Sequence, residues 1–372
     1  MKLRYVVNRI LYALLILFIV ISLNFFLPRL IFKDPAEPFF RGIPEDAVVQ
    51  RDEIRKEYGF DKPVIVQYFI YVWKLIRFDF GSSYQYKEPV FSVMFSKIPW
   101  SMILSLTAMV ISVTLGIIIG AKAAQKRGGR TDKFLLGSAT FTTALPAFWI
   151  ALVFIMLFGI TLGVFPYRGA MSSGYVLELG PGRVAAFWSV FGAGIIAAAL
   201  LFIFLKKRIF LVLAPLAGLI TAVLAAIPFA DLLDILNHSI LPIIVICIGG
   251  IISYGIMVRN SMIAVVNEDY ITTAKAKGLD DRSILYGHTL RNALLPMVTS
   301  IGMSMAGIFG GSVLIERIFA WPGMGGLLID AQGNGDFPLA QSIMFFYSLI
   351  TIISNLITDF IYHWLDPRVK LA

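Results

Sequence analysis

Long apolar runs are the feature that most constrains how this chain can fold. About 20 consecutive apolar residues cross the hydrocarbon core of a bilayer as one helix. Such runs recur along the whole sequence, and only 15% of its residues are charged, whereas a soluble globular domain carries about 25%. The sequence therefore predicts an all-α protein, a polytopic bundle of membrane-spanning helices.

Taken one by one, the runs predict about eight transmembrane helices. The first run follows a basic N-terminus, is long for a signal peptide and precedes no small-residue cleavage motif, so we expect an uncleaved span. The third run is long enough to tilt or to break at Pro146. The predicted spans are 9–30, 99–121, 134–163, 184–205, 209–230, 239–258, 294–315 and 339–362.

The positions of Lys and Arg predict the orientation of these spans. If the N-terminus is cytoplasmic, the inner segments hold 18 of these residues and the short outer segments hold 3, as the positive-inside rule requires. Both termini are then cytoplasmic, and residues 31–98 form an extracytoplasmic region. The net charge of +9 needs no nucleic-acid partner, and the single Cys247 allows no disulfide within the chain.

The extracytoplasmic region contains one amphipathic pattern, in the sequence PVIVQYFIYVWKLIR. A helix with this pattern lies on the membrane surface or packs against the spans. The simplest interpretation is a small cap without a ligand. The face predicted to be apolar consists of Val64, Ile65, Tyr68, Val72, Leu75 and Ile76.

Catalytic and metal-binding motifs do not occur in this sequence. The glycines of WPGMGG (321–326) lack the lysine of a phosphate-binding loop, so we expect a turn. His238, His288 and His363 are too far apart in the sequence for a metal-site spacing. The spans lack the charges that ion-coupled carriers use as relays, and Asp359 is expected to make a helix-end contact near His363. We expect no enzyme activity, no metal and no cofactor, and any transport would draw its energy from elsewhere.

One polar segment, NEDYITTAKAKGLDDRSILYGHTLRNALLP (267–296), lies between two predicted spans. Asn267 is expected to cap a short helix, and Gly278 is expected to end it in a left-handed conformation. Asp280 then caps a second helix that runs toward Pro296. The sequence therefore predicts a hairpin of two helices.

This hairpin has two interpretations that the residues alone leave open. Its first helix is too short to be stable by itself in water, so the neighbouring spans or a partner must hold it. Ala274 and Ala276 are small enough to let another surface approach closely. The hairpin is then either a docking site for a partner or a structured loop without one.

The motif TAKAKGL…HTLRNALLP resembles the cytoplasmic coupling loop of ATP-binding-cassette importer permeases, most closely those of the dipeptide/oligopeptide family. LRYVVNRIL, YGFDKPVIVQY, DFGSS, LPAFW, VRNSMIAVVNEDY, GGSVLIERIFAWPGMG and DPRV are similar to segments of that family, in the same order, over 1–168 and 238–372. The sequence departs from the family at Thr272 and Thr273, where the general motif has Glu and Ala. Gly335 also stands where the family usually has a basic residue.

The resemblance implies a six-span core with two extra spans inserted. The expected divisions are 1–30, the first transmembrane helix; 31–98, the extracytoplasmic region; 99–168, core helices; 169–237, the inserted segment; and 238–372, core helices with a cytoplasmic coupling loop at 259–293. The inserted helices are expected either to face lipid or to dock another subunit.

The resemblance also implies a function, that of a permease subunit of the inner membrane. A second, homologous permease would complete a heterodimer, two ATPase subunits would supply energy, and an extracytoplasmic binding protein would deliver peptides. Oligosaccharide or nickel import by the same family remains an alternative, as does an ion-coupled secondary carrier. The coupling helix implied for the ATPase contact comprises Asp269, Thr273, Ala274, Lys275, Ala276, Lys277, Gly278, Leu279 and Asp280.

The translocation pathway is harder to locate from the sequence. The segment SIGMSMAGIFGGS (300–312) collects small residues in one span, which favours either close helix packing or the lining of a channel. Pro146 and Pro242 are expected to break helices near it. The candidate pathway residues are Gly302, Ser304, Gly307, Gly310 and Gly311.

Overall fold

The computed structural model describes residues 3–31, 55, 61–172, 180–205 and 210–365, and it contains no β-strand in these ranges. The helices are α1 (Leu3–Ile31), α2 (Val64–Ile76), α3 (Val90–Gln125), α4 (Arg130–Ala144), α5 (Ala147–Phe154), α6 (Pro181–Leu205), α7 (Phe210–Ala226), α8 (Phe229–Val265), α9 (Asp269–Ala276), α10 (Leu290–Ala293), α11 (Leu295–Gly310), α12 (Val313–Ile318), α13 (Met324–Asn334) and α14 (Phe337–Leu365). Two π-helical turns, Ile155–Thr161 and Ser283–Thr289, extend α5 and precede α10.

The prediction of an all-α membrane bundle is confirmed. Within the described ranges, five helices are long and apolar enough to cross a membrane, or six if the bent pair formed by α4 and α5 is one span. Helices α6 and α7 occupy the two extra spans that we predicted. Their described apolar parts, Pro181–Ile196 and Ala217–Ala226, are shorter than a full crossing, so the number eight stays a prediction.

The two prolines expected to break helices behave differently. Leu145 is extended, with φ −107° and ψ 122°, and α4 and α5 meet there at 98°, because Pro146 disfavours a helical conformation in the residue before it. Pro242 lies inside the unbroken helix α8, so the prediction of a break at this position is wrong. A single missing hydrogen bond is tolerated where neighbouring helices hold the segment.

Helices α3 and α8 form the centre of the bundle and run side by side in the same direction. The Cys247 thiol lies 3.5 Å from the Ala108 carbonyl oxygen, and farther along a Cβ on Gly120 would overlap the carbonyl oxygen of Gly255. Glycines at such a contact let two backbones approach closely. The C-terminal ends of α3 and α8 therefore meet at one end of the bundle, which we call the hairpin end because α9 follows α8 there.

A buried carboxylate joins the opposite end of α3 to helices α12 and α13. Glu316 is completely buried; its carboxylate accepts hydrogen bonds from the Ser101 hydroxyl at 2.8 Å and from the Gly325 and Gly326 amides at 2.7 and 3.3 Å. The Ser101 oxygen in turn accepts a bond from the Met324 amide at 2.8 Å. This group of residues, the Glu316 clasp, satisfies amides at the start of α13 that no helical carbonyl reaches.

The clasp corrects the expectation that 321–326 is a turn. Gly323 is the residue before α13, and Met324 begins that helix. Trp321 is buried, and its indole N–H donates to the Trp100 carbonyl at 2.9 Å. A short sequence rich in glycine and proline reads as a turn, but here the glycines leave room for a carboxylate beside the backbone.

Helix α2 confirms the predicted amphipathic helix and the interpretation that it packs on the spans, but its packed face is rotated. Leu75 is buried with Ile21 of α1 and Phe345 of α14. Ile65 and Ile76, expected on that face, are 69% and 64% exposed. Almost every residue of α2 is apolar, so hydrophobicity alone did not identify the packed side. The residues facing α1 are Tyr68, Tyr71, Val72 and Leu75.

We predict that Glu316→Ala lowers the free energy of unfolding by about 3 kcal/mol or more, because it leaves three buried donors without an acceptor. Glu316→Gln keeps one oxygen in place and should lose less. Thermal unfolding of the purified chain in detergent measures both. Equal melting temperatures for Glu316→Ala and the unaltered chain would show that the clasp does not stabilise the fold.

Candidate coupling hairpin and pathway groove

The hairpin begins where α8 ends. Helix α8 runs to Val265, and α9 starts at Asp269 with Glu268 in the preceding cap position. Asn267, which we expected to cap α9, instead donates its side-chain amide to the Ile263 carbonyl at 3.1 Å. It therefore closes the last turn of α8, and the predicted cap is wrong by one residue.

The turn between the two helices has the predicted form. Gly278 has φ +77°, and its amide donates to the Lys275 carbonyl at 2.9 Å, while the Leu279 amide reaches the Ala274 carbonyl at 3.4 Å. A Cβ at Gly278 would meet no atom within 4 Å. The position therefore favours glycine because of its backbone conformation and not because of crowding.

Helix α9 is held by one apolar face. Ile271, Ala274 and Ile284 form a small buried cluster between the two helices of the hairpin. Ala274 is only 7% exposed, so the expectation that it is offered to a partner is wrong. Ile271 and Ala274 are three residues apart and so share one helical face, which is turned toward the second helix. The residues of the predicted set that are exposed are Asp269, Thr273, Lys275, Ala276, Lys277, Gly278, Leu279 and Asp280.

The second helix of the hairpin consists of the π-helical turn Ser283–Thr289 and α10, and it leads directly into α11. The Asp280 carboxylate accepts a hydrogen bond from the Ser283 amide at 3.1 Å, as expected of a cap. The Asn292 side-chain amide donates to the Tyr270 hydroxyl at 2.7 Å, which ties this helix to α9. Pro296 has no N–H, so α10 ends and α11 begins around it. The hairpin is thus a folded unit joined to α8 and α11.

A buried ion pair fixes α8 just before the hairpin. Asp132, at the start of α4, is 2% exposed. Its carboxylate pairs with the Arg259 guanidinium at 2.7 and 3.1 Å and accepts the Gly128 amide at 2.8 Å. Paired, two-point contacts of this kind are the strong ones. They connect the loop between α3 and α4 to the last turns of α8.

These contacts revise the expectation that the spans lack buried charge. Asp132 and Glu316 are both buried carboxylates, but each is hydrogen-bonded to fixed partners. Asp359 makes a helix-end contact, as expected, and its partner is Arg9 of α1. The side chain of His363, near which this contact was expected, lies outside the described residues. The partners of these carboxylates belong to helices that are distant in the sequence, so the sequence alone did not reveal the pairs.

A groove of about 220 Å³ lies between α3, α8 and α11. We call it the pathway groove. Ser304, Gly307 and Gly311 of the predicted pathway set line it, and the Ser304 and Tyr254 hydroxyls lie 3.2 Å apart within it. Its other polar lining comes from serine hydroxyls, and no charged side chain is among the described residues that line it. The serines of the lining are Ser105, Ser112, Ser304 and Ser312.

Gly302 and Gly310 lie on another face of α11 and do not line the pathway groove. A Cβ at Gly302 would overlap the Thr358 hydroxyl, and one at Gly310 would lie 3.3 Å from the Tyr347 ring. Both glycines therefore serve the packing of α11 against α14. Close helix packing, the first interpretation of this span, thus holds for this face of α11, and the lining of a channel stays a prediction for the other face.

The end opposite the hairpin carries a second, more polar pocket that the sequence did not indicate. It measures about 260 Å³. Arg317 and Asp330 form an exposed ion pair at 2.6 Å on its wall, with Tyr86 beside them. Burial, together with the Asp330 and Asp336 carboxylates, raises the pKa of the Tyr86 phenol, so Tyr86 stays neutral in any physiological medium.

Comparison with known proteins now identifies the class of this chain. The family described as binding-protein-dependent transport system inner membrane component matches residues 208–371, and the N-terminal component of the same systems matches residues 2–107. The chain is therefore a permease component of a membrane transport system, a class that is not itself catalytic.

Individual relatives narrow the family. The chain is 31% identical to a di/tripeptide transport system permease of Pseudomonas aeruginosa, over 94% of this chain and 93% of the relative. It is 30% identical to a dipeptide transport system permease of Bacillus subtilis, over 99% and 98%, and 26% identical to an oligopeptide transport system permease of that organism, over 98% and 99%. The chain belongs to the dipeptide/oligopeptide family of ATP-binding-cassette permeases, as the motifs predicted, and is a multi-pass protein of the inner membrane.

Proposed function

We propose that this chain is one of two permease subunits of an importer and that it forms part of the pathway for peptides. An extracytoplasmic binding protein delivers the peptide, and two separate ATPase subunits drive transport. The names of its relatives support the peptide cargo. The observation that carries the mechanism is the folded hairpin, because its two ends continue into α8 and α11, and these helices wall the pathway groove.

The hairpin is suited to transmit a movement from one side of the membrane to the other. Its exposed polar surface would dock on the ATPase at the cytoplasmic side, and in this proposal both termini of the chain would lie on that side too. A shift of α9 reaches α8 and α11 without an intervening flexible linker, and the Asp132–Arg259 pair carries it to α4. Closure of the ATPase pair then selects between two arrangements of the helices around the groove.

The pathway groove has a mainly apolar wall that also carries serine and tyrosine hydroxyls, and none of its described lining residues is charged. Serine and tyrosine hydroxyls donate and accept hydrogen bonds, which suits the amide groups of a peptide. Nickel prefers imidazole, thiolate or carboxylate ligands, and the described lining residues of this groove supply none of these. Oligosaccharide also fits hydroxyl groups, so the cargo assignment relies on the relatives.

We predict that the hairpin is required for the ATPase contact. The chain, purified from native membranes in mild detergent, should bring down ATPase subunits, a second permease and a binding protein. Replacing residues 272–286 by a flexible linker of equal length should abolish recovery of the ATPase but keep the second permease. Failure of the intact, folded chain to recover an ATPase would favour an ion-coupled carrier.

We predict that Gly278→Val uncouples transport from ATP hydrolysis, because a β-branched residue resists the positive φ at this turn. The strain of about 1–2 kcal/mol reduces the population of the docking conformation about five- to thirtyfold. Peptide uptake and ATP hydrolysis in reconstituted vesicles measure the effect. Gly278→Asn is the matched control, since asparagine tolerates this conformation and should retain most coupling; equal loss in both variants would point to a different role.

We predict that Gly307→Leu blocks transport by filling the pathway groove, since Gly307 is exposed on its wall. Gly249→Leu is the matched control: it also lies in a long helix and has open space around it, but it does not line the groove. ATPase recovery should be unchanged in both variants. Normal peptide uptake by Gly307→Leu would mean that the cargo passes elsewhere.

A further inference from the structure

A third groove, of about 270 Å³, lies on the bundle surface between α1, α11 and α14. It is separate from the pathway groove, and neither the hairpin nor the Glu316 clasp contributes to it. We call it the α1 groove. The residues that matter in it are Arg9, Ile16, Thr299, Met303, Ile352 and Asp359.

The α1 groove has a charged end and an apolar end. The charged end is the ion pair of Arg9 and Asp359, whose side chains remain 44% and 26% exposed. Arg9 is near the beginning of the candidate span Val7–Leu30, and Asp359 ends the candidate span Phe337–Asp359. The ion pair therefore lies at the membrane boundary on the hairpin side, where a charged pair is tolerated.

The apolar end points toward the middle of the membrane. Ile16 is seven residues from Arg9, and Ile352 is seven residues from Asp359, which places both about 10 Å deeper at 1.5 Å per residue. Ile16 is 51% exposed and Met303 is 59% exposed. Apolar side chains therefore line the inner end of the groove, whereas Asn355, between Ile352 and Asp359 in α14, is polar.

Between these ends the wall carries a hydroxyl with no protein partner. Thr299 lines the groove one helical turn from Met303, and its buried Oγ1 has no hydrogen-bond partner. A buried hydroxyl without a partner is costly, so a ligand that offers this hydroxyl a hydrogen-bond partner is favoured. The order along the groove is charge, hydroxyl and apolar surface, which is the order of headgroup, ester and acyl chain in a phospholipid.

We propose that the α1 groove binds a phospholipid with a zwitterionic headgroup that carries a primary ammonium, phosphatidylethanolamine. The phosphate would lie against Arg9 and the ammonium against Asp359, so each charge of the ion pair meets its opposite. An anionic headgroup such as phosphatidylglycerol has no positive charge to place against Asp359, and the Asp359 carboxylate would repel it. Phosphatidylcholine has a quaternary ammonium that donates no hydrogen bond. Tyr12, 63% exposed on the rim, is an aromatic residue of the kind enriched at this depth.

The test is a competition between lipids on the purified complex. The complex in detergent is incubated with equal amounts of phosphatidylethanolamine, phosphatidylcholine and phosphatidylglycerol of identical acyl chains, and retained lipid is counted by native mass spectrometry. Phosphatidylethanolamine should be retained about two- to fivefold over the others, the range expected of an exposed ion pair. Equal retention of all three, or a preference for phosphatidylglycerol, would overturn the proposal.

Two variants locate the preference within the groove. The double variant Arg9→Gln, Asp359→Asn removes both charges without leaving one unpaired and should abolish the preference. Met303→Trp should lower retention of all three lipids by filling the apolar end. Met305→Trp is the control, since Met305 is 38% exposed on the same helix and lies outside the groove. A preference that survives the double variant, or equal retention in Met303→Trp and Met305→Trp, would contradict the assignment.

The rival occupant is the second permease subunit. Met303→Cys provides the test, because the natural Cys247 is buried. If lipid fills the groove, a membrane-permeant thiol reagent should modify residue 303 more slowly when phosphatidylethanolamine is bound than after the assembled complex has been delipidated, because the acyl chain covers this position. Cross-linking of residue 303 to the second permease would show a protein interface and would exclude the lipid. This outcome leaves the function in peptide import untouched, because the α1 groove is distinct from the pathway.

Discussion

The structure depends on one constraint, that backbone amides and carbonyls away from water must find partners within the protein. Long helices satisfy it by themselves, and the chain uses them almost throughout its described length. Where the helices stop, side chains take over. Glu316 is the clearest case, because its carboxylate accepts the amides at the start of α13 that would otherwise be buried without a partner. The irregular stretch around Trp321 is tolerated for this reason.

The same constraint explains how the hairpin is held in place. A short polar helix such as α9 is not stable alone, so it relies on a small apolar cluster and on the hydrogen bond between Tyr270 and Asn292. It also relies on direct continuity with α8 and α11. The hairpin is thereby joined to two of the helices that wall the pathway groove. The buried pair of Asp132 and Arg259 links α8 to α4 as well.

Particular elements of the structure show which features could be predicted from the sequence and which could not. The membrane class, the first span, the hairpin and the left-handed Gly278 were all predicted, because each follows from local composition or from the conformational preference of one residue. The face of α2 and the environment of Ala274 were predicted wrongly. In both places the residues are apolar or small on more than one side, and only the neighbouring helices decide which side is covered.

The sequence by itself determined that this chain is a helical membrane permease, since apolar runs, basic clusters and family motifs are properties of the chain alone. Tertiary structure decided which residues meet. It separated the face of α11 that lines the pathway groove from the face that packs on α14, and it brought Ser101 to Glu316 and Arg9 to Asp359 across hundreds of residues. The physical reason is that such contacts depend on how helices are rotated about their axes, which close packing fixes and periodicity does not.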